Sequence, residues 1–289
     1  MYESTLKTAL GGYHVFIGHH SKAAEIIIEA ISICKKMNDP NNLGMCHRAL
    51  GLMYLDQDNW TDAQNQFKKA IVNHQKAEHR SAYEATILFL GLSYYFEKKY
   101  NKAKEYIDKA VLITSRRKDT SYYDVAAKSV QILLKSTLGE CTEDDIDKIA
   151  NEIINSGSVK EINRECFYIS QSYLNISNQK KANKFQKICK KGLLFSAGRI
   201  SDDKYKKDYL NTGLHKHMLN DKATLYKTEL KEVSKIKINK SKNINQKSSL
   251  NSICPQYGKF FNYCPSCAYI NIKHDFRFCP DCGTSLERR

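Results

Sequence analysis

One pattern of small and large apolar residues returns every forty positions through the first 110 residues, and it constrains the fold more than any other feature. Its middle copy reads Leu50-Gly51, Tyr54, a polar break at Asp56–Asn59, then Ala63, Phe67 and Ala70. The next copy is Leu90-Gly91, Tyr94, Ala103, Ile107 and Ala110, and the preceding one is Leu10-Gly11, His14, Ala23, Ile27 and Ala30. Within each copy the spacing places one apolar face before the break and a second after it, so each predicts two antiparallel helices meeting at small residues. Gly11, Gly51 and Gly91 then sit inside helices, where glycine costs roughly 0.5–1 kcal/mol relative to alanine. Close helix approach offsets that cost, so these glycines are expected to be contact points.

The three pairs span about Ser4–Met37, Gly44–Ala77 and Glu84–Arg117. Asn38-Asp39-Pro40 is expected to end the second helix of the first pair, because proline cannot continue it. A degenerate fourth pair follows. Tyr122–Leu138 carries an apolar face, Gly139 stops it, and Thr142 caps a helix whose face is Ile146, Ile149, Ala150 and Ile153. Ile169-Ser170, Tyr173, Ala182 and Cys189 mark a fifth, with small residues again at the contact positions.

The spacing Leu-Gly-x2-Tyr, Ala-x3-Phe-x2-Ala resembles the tetratricopeptide repeat. The resemblance implies an all-α solenoid, a right-handed superhelix of helical hairpins. Leu10, Gly11, Ala23, Ala30, Leu50, Gly51, Tyr54, Ala63, Phe67, Ala70, Leu90, Gly91, Tyr94, Ala103 and Ala110 would be its packing residues. Repeats of about forty residues are similar to the arrays at the C-terminal end of large signalling ATPases, transcriptional activators and nucleotide-cyclase fusions. Ile200-Ser201-Asp202, Tyr209-Leu210-Asn211 and His215-Lys216 resemble the closing segment of such arrays, which caps the apolar face of the last repeat. No GxxxxGK[ST] phosphate loop occurs in the sequence, so the catalysis of those larger proteins does not carry over.

The expected organisation is a repeat domain with capping helices over 1–234, a basic flexible linker over 235–252 and a small cysteine-rich module over 253–289. No proline falls between Pro40 and Pro255, which suits long helices. No run approaches the roughly 18 apolar residues of a membrane span, and scattered thiols in helical text suit a reducing compartment. A cytoplasmic protein is the expectation. The net charge of +15 is uneven: residues 1–179 hold 22 basic and 22 acidic side chains, whereas 180–250 hold 19 and 6, a net +13. That segment admits three readings: a solvated helix face plus linker, non-specific contact with nucleic acid, or contact with acidic protein or anionic lipid.

Near the C-terminus stand Cys264-Pro-Ser-Cys267 and, after eleven residues, Cys279-Pro-Asp-Cys282-Gly283. Two CxxC turns can point four thiolates at one Zn²⁺ in a tetrahedron. The stretch resembles a short zinc ribbon, with Ala268 where the first knuckle usually has glycine. Cys264, Cys267, Cys279 and Cys282 would form a closed, structural site, and zinc would supply the free energy that so small a core lacks. Iron on the same knuckles and an unmetallated or disulfide-bonded end are the alternatives. Aromatic residues among Lys259, Lys273 and Arg277 suit either a ribbon core or base stacking.

Helical-repeat arrays present a concave surface built from the first helix of each pair. Groove candidates are Phe16, Arg48, Leu52, Leu55, Leu88, Leu92, Tyr95, Phe96, Lys128 and Lys135, although the apolar ones also suit packing against a neighbouring repeat. The lysine-asparagine clamp of co-chaperone repeats is missing, with Thr8 and Gly12, then Arg48 and Leu52, at the matching places. The groove therefore suits an amphipathic helix or extended peptide. His14, His19 and His20 read as helix-face and loop residues, and no nucleophile elbow, HExxH or dinucleotide loop is present. The expectation is a non-catalytic interaction scaffold in a regulatory assembly, capable of self-association. The alternative is a nucleic-acid-associated factor using the basic tail and ribbon. A third reading makes the chain the detached sensor half of a larger ATPase or cyclase.

Overall fold

The computed structural model describes residues 2–115, 122–155 and 163–226. The chain divides into two units, Met1–Leu230 and Lys231–Arg289, and every described residue belongs to the first. The linker 235–252 and the four cysteines at 264, 267, 279 and 282 lie outside the described residues.

The described residues form twelve helices and no strand. Ten make five hairpins: α1 (Tyr2–Phe16) with α2 (His20–Lys36), α3 (Pro40–Asp56) with α4 (Trp60–Lys76), α5 (Arg80–Phe96) with α6 (Tyr100–Ser115), α7 (Tyr122–Leu138) with α8 (Glu143–Asn155), and α9 (Asn163–Asn175) with α10 (Gln179–Ala197). Two short helices follow, α11 (Asp203–Asn211) and α12 (His215–Met218). The result is an array of helical hairpins, as expected of a helical repeat protein. No helix among the described residues is long and apolar enough to cross a membrane.

The turns repeat at half the sequence period. Gly18, Asn38, Asp58, Glu78 and Lys98 all have positive φ, between 50° and 76°. After each, the next amide donates to the carbonyl five residues back: His19 to His14, Asp39 to Cys34, Asn59 to Tyr54, His79 to His74 and Lys99 to Tyr94, all at 2.9 Å. This left-handed termination stops each helix and satisfies its last carbonyls. The turn inside a hairpin and the turn between hairpins are therefore the same device. Pro40 plays a different part from the one expected. The left-handed Asn38 has already ended α2, and Pro40 opens α3, where its missing N–H costs nothing.

Side-chain caps begin several helices. Asp39 accepts from the amide of Asn42 at 3.0 Å, Asn178 from Lys181 at 3.1 Å and Asp202 from Tyr205 at 2.9 Å. At α8, Thr142 and Asp145 cap each other reciprocally. The Asp145 carboxylate accepts from the Thr142 amide at 2.8 Å, and Thr142 Oγ1 accepts from the Asp145 amide at 3.3 Å. Gly139, at φ +70°, ends α7 where the sequence places the stop.

The repeating glycines seat the partner helix. A Cβ on Gly11 would strike Ile27, one on Gly51 would lie within 3.0 Å of three Phe67 ring carbons, and one on Gly91 would lie 2.8 Å from Ile107 Cγ1. Ile27, Phe67 and Ile107 are fully buried, as are Ala23, Ala30, Ala63, Ala70, Ala103 and Ala110. Leu10 departs from the expectation, at 45% exposed. Leu50, its counterpart, is buried in one cluster with Ala23, Ile27 and Ala30, whereas no described helix precedes α1 to cover Leu10.

The two ends of this unit touch. Tyr209 of α11 meets Phe16 of α1 with ring centroids 5.0 Å apart, and Tyr205 meets His14 and His19 at 6.1 and 5.4 Å. Gly18 lies against Thr212, and Gly213 against Asp56 at the end of α3. The segment after α10 thus closes onto the first two hairpins.

Candidate functional site

Closure creates a cavity of about 850 Å³. Its wall is built mainly from first helices: α1 supplies Thr8, Gly12 and Phe16, α3 supplies Arg48, Leu52 and Leu55, α5 supplies Leu92 and Phe96, and α9 supplies Arg164 and Tyr168. Arg199, Tyr209, His215 and Tyr226 complete it from the closing segment. The geometry follows from helical periodicity. On these first helices one face packs on its own partner through a small residue, glycine in α1, α3 and α5 and Ser170 in α9, and the face turned away from it is left for the interior.

Six of the ten groove candidates line this cavity: Phe16, Arg48, Leu52, Leu55, Leu92 and Phe96. Tyr95 and Phe96 line a smaller adjoining space of about 170 Å³, with Tyr100, Gln171 and Tyr226. Leu88, Lys128 and Lys135 line neither. Leu88 is packed in the core at 5% exposed. Lys128 is held by Asp124 at 2.9 Å and Glu152 at 2.8 Å. The Lys135 carbonyl accepts the Glu140 amide at the end of α7.

Three arginines, Arg48, Arg164 and Arg199, face a space otherwise rich in aromatic rings. Burial disfavours the charge on the Arg48 guanidinium, and a hydrogen bond with Tyr123 of α7 partly restores it. His215 Nδ1 donates to the Tyr209 carbonyl at 2.9 Å, which requires the Nδ1–H tautomer. Burial, reinforced by the Arg164 charge, holds its pKa down to about 4. The imidazole is accordingly neutral at neutral pH, a wall residue with its proton fixed by the Tyr209 carbonyl.

Four thiols of the described array, Cys34, Cys46, Cys166 and Cys189, are buried. Cys46, 3.3 Å from Thr8 Oγ1, is pushed up to about 12 by burial, and Cys166 likewise. They behave as small core residues.

Sequence reasoning missed the contributions of the fifth hairpin. Leu50 corresponds there to Ile169, so the groove register of Leu52 falls on Gln171, and that of Met45 and Ala49 falls on Arg164 and Tyr168. Extending the predicted register of Arg48, Leu52 and Leu55 by that offset finds Gln171 alone of the three; Arg164 and Tyr168 match Met45 and Ala49, which the structure adds to the wall. Gln171 is 5% exposed and grips backbone rather than solvent: its Nε2 donates to the Thr224 carbonyl at 3.0 Å and its Oε1 accepts from the Tyr226 amide at 2.7 Å. Tyr226 itself carries no repeat signal, lying beyond the last helix.

No family model matches the chain, and no curated protein is significantly similar to it.

Proposed function

We propose that the chain is a non-catalytic scaffold of the tetratricopeptide-repeat type, binding a partner peptide or helix on the inner face of its hairpin array. The observation that carries this reading is the cavity of about 850 Å³, into which first helices of four hairpins turn an apolar and aromatic wall punctuated by arginines. Such a wall combines large apolar contact area with a few fixed polar groups, the usual composition of a specific site. The arginines favour a ligand with acidic side chains or a free carboxylate.

The test is selection from a random-peptide phage library on the immobilised full chain, followed by affinity measurement on purified variants. Leu52→Arg places charge in the wall without touching a glycine seat. It is expected to weaken selected peptides at least about ten-fold, equivalent to about 1.4 kcal/mol, with an unchanged helical circular-dichroism signal. Binding equal to that of the parent chain refutes the inner face as the site.

The C-terminal module is proposed to hold one structural zinc through Cys264, Cys267, Cys279 and Cys282. The donor set is all thiolate, which suits a closed zinc site. Metal analysis of the reduced protein should give one zinc per chain, falling to near zero in Cys264→Ser/Cys282→Ser. Zinc retained by that variant, or absent from the parent, refutes the assignment.

A further inference from the structure

The segment after α12 is irregular chain held by amide side chains. Residues 223–226 have no helix of their own. Asn183 Oδ1 accepts from the Ala223 amide at 2.9 Å, and Gln179 Nε2 donates to the Ala223 carbonyl at 3.0 Å. One turn of groove further on, Gln171 pairs with Thr224 and Tyr226 as described. Four backbone polar groups of residues 223–226 are thus read by three amides projecting from α9 and α10. Amides can match both the donor and the acceptor of a peptide unit, and a backbone read this way places no demand on side-chain identity.

Two side chains of the segment are nonetheless selected. Ala223 is buried, at 4% exposed. Tyr226 fits a slot whose walls are Phe96 of α5 and Phe167 of α9, at centroid distances of 5.4 and 6.4 Å, with His217 at 4.7 Å. Its hydroxyl donates to Asp58 Oδ1 at 3.3 Å. Thr224 and Leu225 between them are exposed. Tyr226 borders both cavities, so its departure would open one into the other. The segment can leave without breaking any intrahelical hydrogen bond, because every bond that holds residues 223–226 comes from a side chain.

We propose that Ala223–Tyr226 is a built-in competitor occupying a peptide site. The ligand is an extended peptide with a small residue and, three positions later, an aromatic residue. It takes the Gln171, Gln179 and Asn183 amides and the Phe96–Phe167 slot in place of the chain's own segment. This inference rests on the scaffold reading above and adds both the ligand class and its regulation. A tethered competitor acts at an effective concentration in the millimolar range, so the free site binds far more tightly than the occupied one.

The test uses the full chain and a fluorescein-labelled synthetic peptide with the sequence of residues 220–227, Asn-Asp-Lys-Ala-Thr-Leu-Tyr-Lys. Fluorescence polarisation should show Tyr226→Ala binding this peptide at least about ten-fold more tightly than the parent chain, as removal of a tethered competitor requires. Gln171→Ala added to Tyr226→Ala should abolish the gain, as should a peptide with serine for tyrosine. Equal affinity of the parent and Tyr226→Ala chains overturns the competitor. A second measurement avoids substitutions altogether: hydrogen exchange of residues 223–226 in the parent chain should accelerate with excess unlabelled peptide, and unchanged protection overturns the proposal. Library-selected peptides that bind the parent and Tyr226→Ala equally refute the competitor while leaving the scaffold standing. The absence of any binder to either chain refutes both.

Discussion

Between pH 6.5 and 4.5 the described unit is expected to lose about 5 kcal/mol of stability, at about 1.4 kcal/mol per pKa unit for each of two buried histidines. His74 and His215 are 0% and 3% exposed. Burial, with the Arg48 and His79 charges adding to it, holds His74 down to about 3, and His215 stands at about 4. The His74 ring lies against Gly44, and neither ring nitrogen has a hydrogen-bond partner, so protonation there gains no counter-ion. Near His215 the Asp56 carboxylate favours the proton, but the effects of burial and Arg164 outweigh it. The sign follows from proton counting. Below the unfolded value of 6.5 the unfolded chain takes up two protons that the folded chain refuses, so stability falls as pH falls. The loss from His215 levels off near pH 4 and that from His74 near pH 3. Carboxylates held low, such as Asp39 and Glu97, lose their contribution only below about pH 4.5. The upper window therefore isolates the histidines. Urea unfolding at successive pH values should show a slope that falls by nearly two protons in His74→Gln/His215→Gln, and the part that remains belongs to His14 and His47, which burial also holds low. An unchanged slope in that variant refutes the assignment. Since ordinary domains have about 5–15 kcal/mol in total, the parent chain should be close to unfolding at pH 4.5.

Two glycine-to-alanine changes in neighbouring hairpins are expected to move stability in opposite directions. In Gly51→Ala the new methyl group meets the Phe67 ring, which is fully buried and stacked on Phe89 at 6.0 Å. The ring has no open side to move into. Overpacking of this kind costs about 1–3 kcal/mol, and the better helix propensity of alanine returns about 1 kcal/mol. A net loss of up to about 2 kcal/mol is expected from those two terms. In Gly12→Ala nothing lies within 4 Å of the added carbon, so only the propensity gain remains, about 0.5–1 kcal/mol. Chemical denaturation at pH 7 measures both. Shifts of the same sign in the two variants would show that the seats described above do not control packing.

The helical hairpins were legible because a first helix can approach its partner only where both carry small residues. That constraint writes Gly11, Gly51 and Gly91, with their alanines, into the chain at a fixed interval. The turns were less legible. What recurs every twenty residues is a left-handed backbone angle, and Gly18, Asn38, Asp58, Glu78 and Lys98 share no side chain that announces it. A Schellman-type termination is held by main-chain bonds, so the residue in the left-handed position is weakly specified. The inner wall was partly legible. Leu52, Leu55, Leu92 and Phe96 stand out because apolar residues off the packing face need another neighbour. Gln171, Gln179 and Asn183 do not, since amides on a helix ordinarily face water, and only the three-dimensional path of residues 223–226 shows what they hold. Leu10 shows the converse limit: a residue matching the repeat pattern is buried only where a neighbouring hairpin exists to cover it.

The contact between Tyr209 and Phe16 changes how the array should come apart. A linear stack of hairpins frays from its ends, because a terminal unit has one neighbour where an inner one has two. Here α11 touches the C-terminal end of α1 through Tyr209 and Phe16, so that end of the helix gains a second neighbour while Leu6, Leu10 and Tyr13 stay exposed. Opening α1 also releases α11, and opening α11 uncovers α1, so the two ends share a single opening reaction. Their amides should then exchange with similar protection, and denaturant should release them together as one cooperative block. An array whose neighbours in sequence do most of the packing thereby acquires a clasp, and an event at one end of the array is felt at the other.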